Sequence, residues 1–238
     1  MKNNFLVSAK YAFRPNKLNF CGPDKNKELG EYLQAGFSDG GAEEILKNFE
    51  CLFPYLDYIA RMGKTADPFL PVVGEAYWVG NDLLGRSGGK DFYSHLATNF
   101  AIEKKFKTEE LGVLKEKIRA GANAHHSFHV FNVWQNPSQA ENPHVLYQMD
   151  ECRIGWGEVK LVEDKIIKVL YEPIIFEKGK LMFGQLVLKD IFYEFKDTDV
   201  KIGDWVSFHW SSFCEVLSIK DLENLKKWTT INLHLANL

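Results

Sequence analysis

The hydrophobic period of this chain changes once, and that change limits the fold more than any other feature. Up to about residue 148, apolar residues recur every three or four positions. Ala42 to Met62 is the clearest case, with Ile45, Leu46, Phe49, Leu52, Phe53, Leu56 and Ile59 on one helical stripe. From Arg153 onward the alternation is apolar against polar, the period of a half-buried strand. Between the two lies Gln135 to His144, polar, with Pro137 and Pro143 and no apolar period, which reads as a domain boundary or exposed loop. Helices first and strands afterwards define an α+β chain. The expected architecture is a mostly α-helical domain over residues 1–148 and, over 149–238, a small OB-like β-barrel with a closing C-terminal helix.

In the first part, helices are predicted over Lys25 to Gln34, Ala42 to Met62, Pro71 to Leu84, Asp91 to Ala101 and Thr108 to Ala120. Pro54 predicts a kink or break in the second of these, and Asp67-Pro68 an N-cap ahead of the third. Arg14 to Asp24 holds two prolines and a Gly-Pro pair and predicts turns in place of regular helix. In the second part, strands are predicted over Gly157 to Val162, Ile166 to Tyr171, a pair within Leu181 to Tyr193, Trp205 to His209 and Cys214 to Leu217. Ser218 then caps a helix from about Lys220 to Trp228, expected to plug one end of the barrel.

Net charge is -3, with basic and acidic residues interleaved, so the chain has no cationic field for a phosphate backbone, and nucleic acid is not an expected partner. No window approaches the roughly 18 uninterrupted apolar residues of a membrane helix, and the run after Met1 is too short for a signal peptide. A cytoplasmic location follows as the expectation. The cysteines Cys21, Cys51, Cys152 and Cys214 include no Cys-x-x-Cys pair, and in that compartment they stay reduced and available to metal.

Cys152, at the mouth of the first strand, and His209, at the end of a late one, are distant in sequence, yet a closed barrel can bring them together. A thiolate with an imidazole suits iron, copper, nickel or zinc better than magnesium or calcium. A second candidate is Ala124-His125-His126-Ser127-Phe128-His129. On a helix or a strand, His125 and His129 share a face and could share a metal; the metalloprotease pattern is absent, because His126 stands where its glutamate would be. The same histidines also fit an aromatic core segment bonded to backbone. Cys21, in a Gly-Pro turn, is a further candidate ligand or nucleophile, and Glu75 a carboxylate on an otherwise apolar helix.

Residues 152 to about 230 resemble the HypC/HupF-type chaperones of NiFe-hydrogenase assembly. The resemblance lies in Cys152 with Gly157 and Val159, in Gly203-Asp204-Trp205-Val206-Ser207-Phe208-His209, and in Leu222-Glu223-Asn224-Leu225. Cys152 is internal, whereas the family's cysteine follows the initiator methionine, and Trp156 stands at the family's proline. The complete chain is also similar to a bacterial family without an established activity that carries Cys-Gly-Pro, Glu-Ala-Tyr-Trp, His-His-Ser-Phe-His and Cys-Arg-Ile-x-Trp-Gly blocks. The first resemblance implies a carrier and not a hydrolase. Its cargo would be iron, held transiently with cyanide and carbon monoxide ligands through Cys152 and His209. Its partners would be an iron-sulfur scaffold protein and the hydrogenase large subunit. Two other readings of the chain are a metal-dependent enzyme using His125, His126 and His129 with Cys21 or Glu75, and a non-catalytic adaptor between proteins.

Overall fold

The structure is a computed structural model that describes residues 4–37, 39–135, 137–194 and 199–238. It is α+β, with helices first, then strands, then a last helix. The helices before the strands are α1 (Asn4–Lys17), α2 (Asn26–Ala35), α3 (Gly40–Lys47), α4 (Phe53–Gly63), α5 (Pro71–Trp78), α6 (Lys90–Phe100), α7 (Ile102–Lys105), α8 (Thr108–Arg119), α9 (His126–His129) and α10 (Pro143–Cys152). The strands are β1 (Gly155–Val162), β2 (Ile166–Tyr171), β3 (Ile174–Glu177), β4 (Lys180–Phe183), β5 (Val187–Phe192), β6 (Trp205–His209) and β7 (Ser212–Val216), and the chain ends in α11 (Ile219–Ala236).

The predicted break at Pro54 falls between α3 and α4, with the proline in the first turn of α4, where its missing N–H costs nothing. Asp67 does not cap a helix. Its carboxylate takes the Phe69 N–H at 2.8 Å in a turn, and α5 begins at Pro71. The larger correction is α1, which runs through Arg14 and Pro15, residues expected in a turn. Pro15 sits in the last turn of the helix. The turn proper follows and is held by Asn16, whose side-chain amide donates to the Cys21 and Pro23 carbonyls at 2.9 and 2.6 Å.

Strands β1, β2, β5, β7 and β6 pair in that order, and β6 returns to pair with β1. The pairs are antiparallel except β5 with β7, which meet in parallel at Phe192 and Ser212. Val159, Ile167, Val169, Ile191, Val206 and Phe208 fill the inside of this ring. Strand β3, which the pattern does not predict, pairs with β4 as a separate two-stranded ribbon. Ser218 caps α11 as expected, in a reciprocal pair with Asp221. The helix does not plug the ring, however. It packs on α9, on the π-helical turn Val130–Trp134 and on β4.

The boundary at 148/149 is not a boundary of packing. The largest core runs across it, joining Tyr55, Tyr77, Phe92 and Phe128 to Ile154, Trp156, Leu222 and Leu225. The expected loop Gln135 to His144 contains a short turn at Pro137–Gln139, buried Ala140 and the start of α10 at Pro143, with Asn136 outside the described residues. Helix α1 braces the halves: the Tyr11 hydroxyl reaches Ser207 on β6 and donates to Glu215 on β7, while Arg14 and Lys17 pair with Glu194. Among the described residues, no helix is long and apolar enough to cross a membrane.

Candidate metal centre

Asp150 to Arg153 shows why Cys152 lies where it does. The apolar residues Val145, Leu146 and Met149 make the preceding stretch one helical stripe, with Asn142 capping it and Pro143 opening it. Cys152 is therefore the last residue of α10, and β1 begins only at Gly155. Its neighbours fix it from both sides. Asp150 accepts from Arg153 Nε, from the Tyr171 hydroxyl and from the Ile174 N–H, at 3.0, 3.0 and 2.9 Å. Glu151, buried, pairs with Lys189 and accepts from the Ser211 hydroxyl. Arg153 is 1% exposed, donates to the Glu172 carbonyl and lies over the Trp156 ring.

His209 comes from the far end of the strand region. It is the last residue of β6, and Trp210 and Ser211 turn the chain into β7 with φ of 49° and 53°. Neither is glycine, so the turn costs of order 1–3 kcal/mol at each residue. The Trp210 N–H bonded to the Glu151 carbonyl, and Ser211 bonded to the Glu151 carboxylate, hold it in place. The result sets His209 against α10. Cys152, His209 and His126 offer a sulfur and two ring nitrogens that all lie within 4.8 Å of one another.

The ring of His209 is oriented by a proline. In an unbroken helix the Tyr11 carbonyl would accept from the N–H of residue 15, but Pro15 has none. The carbonyl instead accepts from His209 Nδ1 at 2.7 Å. That bond fixes the neutral tautomer, and Nε2 is left buried, without a partner, facing the cluster. Burial pushes the His209 pKa down to about 4, so Nε2 keeps its lone pair at neutral pH. Pro15→Ala restores the helical N–H, which competes for the same carbonyl. The expected result is a metal affinity lower by about 10–100-fold with the helix intact, read by competition with a chelator.

His126 has two calls on its single proton. Nδ1 is 3.0 Å from the Tyr77 hydroxyl, and Nε2 is 2.8 Å from the Cys152 carbonyl and 3.9 Å from its sulfur. The Tyr77 hydroxyl donates to the Cys51 carbonyl at 3.0 Å, so its oxygen can accept from Nδ1–H. A metal at Nε2 would select that tautomer and would displace the bond to the Cys152 carbonyl. Ligands on a tetrahedral ion at ordinary Zn–S and Zn–N lengths stand about 3.6 Å apart. The 3.9 Å between Nε2 and Sγ is close to that spacing.

These three residues line one cavity of about 60 Å³ together with Cys21, Cys51 and His129. No lining residue carries a fixed positive charge. Burial pushes the Cys152 thiol up to about 12, with the Trp210 indole opposing the rise, so the pocket favours a neutral thiol until a cation enters. Cys51 is pulled the other way by the neighbouring Cys21 thiol and then by His129, while Cys21 is raised by Cys51 and by burial. Gly22 presents Cys21 at φ +86°, where a Cβ would stand 2.3 Å from the Phe49 ring. Gly22→Ala is therefore expected to destabilise by at least about 1–2 kcal/mol in urea denaturation, from the left-handed backbone alone. The roof is Phe20 stacked on Trp210, ring centres 4.3 Å apart.

The candidates read from the sequence thus separate. Cys152, His209, His126, His129 and Cys21 meet at the cavity; His125 and Glu75 do not line it. His125 does not share a helical face with His129, because it is the N-cap of α9, its Nδ1 accepting from Ser127. Glu75 accepts from Asn81 at the end of α5, at 3.2 Å. Cys51 was not singled out by spacing. It lies just ahead of α4, which begins at Phe53, and that position says nothing of what it faces.

Burial holds His95 and His209 near 4, His125 near 3 and His126 well below its usual value. An unfolded histidine titrates near about 6.5. The unfolded chain therefore binds protons that the folded one refuses, and stability is lost as pH falls from about 6.5 towards 4. Denaturation midpoints should drop steeply between pH 6.5 and 5, with proton uptake on unfolding in calorimetry.

The fold and the cluster together define an α+β protein with a buried thiol–imidazole centre at the seam of its two parts. By sequence the chain belongs to the family of unknown function DUF6390, whose model matches residues 3–238. No curated protein and no solved structure matches it.

Proposed function

We propose that the protein binds a transition metal through His126, Cys152 and His209. The observation that carries this reading is the approach of three ligand atoms within 4.8 Å, drawn from α9, α10 and β6. The donor set, one thiolate and two imidazoles, suits zinc, iron or copper. Three protein ligands leave a fourth position open, as in sites that exchange a small ligand. A cavity of about 60 Å³, the space of roughly two waters at about 30 Å³ each, has room for an ion and a small ligand.

The narrower form of the reading is the carrier implied by the HypC/HupF resemblance. The chain would hold iron with cyanide and carbon monoxide, receive it from an iron-sulfur scaffold protein and pass it to the NiFe-hydrogenase large subunit in the cytoplasm. Two features support it: Cys152 and His209 are neighbours, as that resemblance requires, and the five-stranded ring has the pairing of a small closed barrel of OB-like type. The Phe20–Trp210 roof must then open for transfer. The test is elemental and infrared analysis of protein purified without oxygen. A transition metal that disappears in Cys152→Ser supports metal binding, and cyanide and carbon monoxide bands beside iron support the carrier. Protein that neither retains nor takes up any transition metal overturns both.

A further inference from the structure

We propose that the cleft between α8 and the turn Val130–Trp134 binds a small aromatic carboxylate, with the carboxylate on the Lys117 ammonium and the ring against Trp134 and Phe106. The cleft has a volume of about 490 Å³, within the range of small-molecule sites. Phe106, Leu114, Val133 and Trp134 give it apolar walls. Lys117 lines it too, and at 6% exposure is the one buried lysine among the described residues. Lys115, on the same helix, is exposed as a solvated lysine should be.

Nothing in the protein accounts for the burial of Lys117. No hydrogen bond or ion pair joins its ammonium to a described residue, although Glu109 and Glu110 line the same cleft. The Glu110 carboxylate accepts instead from the Lys107 N–H at 2.8 Å. An ammonium buried without an anion is costly, and a ligand carboxylate would supply the missing charge-assisted hydrogen bond. Burial lowers the amine to about 8, which leaves it mostly charged at neutral pH. A second polar group of the cleft is also incomplete. Asn132, 5% exposed, donates its amide to the Asn232 carbonyl at 3.1 Å, while its Oδ1 is buried with no partner. That oxygen suits a hydroxyl or N–H beside the ligand's carboxylate. Trp134, 40% exposed, offers an indole for an aromatic ring. The inference goes beyond the metal reading and does not depend on it: Trp134 lines both cavities, but Cys152, His126 and His209 do not line this one.

The test is equilibrium dialysis of the full chain against 3-phenyllactate, which carries a carboxylate, a neighbouring hydroxyl and a ring. Wild type should retain it, and should bind 3-phenyl-1-propanol, which lacks the carboxylate, at least about 10-fold more weakly. Lys117→Met keeps the stem and removes the charge. It should weaken 3-phenyllactate by a similar factor with a denaturation midpoint no lower than that of wild type, because no pairing is lost. The comparison of acid with alcohol needs wild-type protein alone, so it decides the matter even where the variant folds badly. Acid binding that Lys117→Met leaves unchanged, or an alcohol bound as tightly as the acid, overturns the site. No retention of 3-phenyllactate at millimolar concentration overturns it as well, and leaves the metal reading untouched.

Discussion

Serine in place of Cys152 is expected to empty the His126–Cys152–His209 site. The thiolate is the one anionic donor of the three, and a hydroxyl in the same place neither ionises at neutral pH nor binds a soft ion comparably. The loss of affinity should exceed the roughly 10–100-fold that removing an outer hydrogen-bond partner costs. His209→Ala should act in the same direction through the lost Nε2. The two variants differ in stability. Cys152→Ser keeps the volume and the Asp150, Glu151 and Arg153 anchors, whereas His209→Ala leaves the Tyr11 carbonyl without its donor and opens a hole beside Trp78. Metal content measured beside the denaturation midpoint separates loss of a ligand from loss of the fold.

The largest effect on stability is expected from Arg153→Ala. The guanidinium is 1% exposed, pairs with Asp150 at 3.0 Å and covers the Trp156 ring. Its removal strands the Asp150 carboxylate with only the Tyr171 hydroxyl and the Ile174 N–H, and leaves a cavity under the rings of Trp156 and Phe183. Breaking one side of a buried pair costs about 3–5 kcal/mol. Arg153→Met, which keeps the stem and stacks on the same rings, should recover part of the packing and none of the pairing. Equilibrium urea denaturation of both variants measures the two contributions. A loss below 1 kcal/mol for Arg153→Ala would show that the pair is replaced by water and does not anchor α10.

Much of the fold was legible because local pattern governs it. The stripe from Ile45 to Ile59 reads as helix, Pro54 as a kink or break in it, and Ser218 as the cap of the last helix, and α3, α4 and α11 follow that pattern. Where expectation failed, a longer-range contact decided. Pro15 reads as a breaker, yet the helix runs through it because the carbonyl it frees is taken by His209, on a strand 198 residues away in sequence. Cys152 reads as the mouth of a strand because the strand period begins at Arg153, but the cysteine closes a helix whose cap lies back at Asn142. Strand β3 was missed because its four residues pair only with β4 and add nothing to the alternation of the main sheet.

The site divides in the same way. The sequence by itself determined the donor types, the strand that ends in His209 and the segment that carries His126 and His129, since residue chemistry and hydrophobic period are local properties. Only the tertiary structure decided that His125 caps a helix, that Glu75 serves a turn, and that Cys51 joins the cavity. Those outcomes depend on which walls α1, α5, α9 and α10 bring face to face. Packing sets that arrangement through contacts spread over the whole chain, and no stretch of sequence contains them.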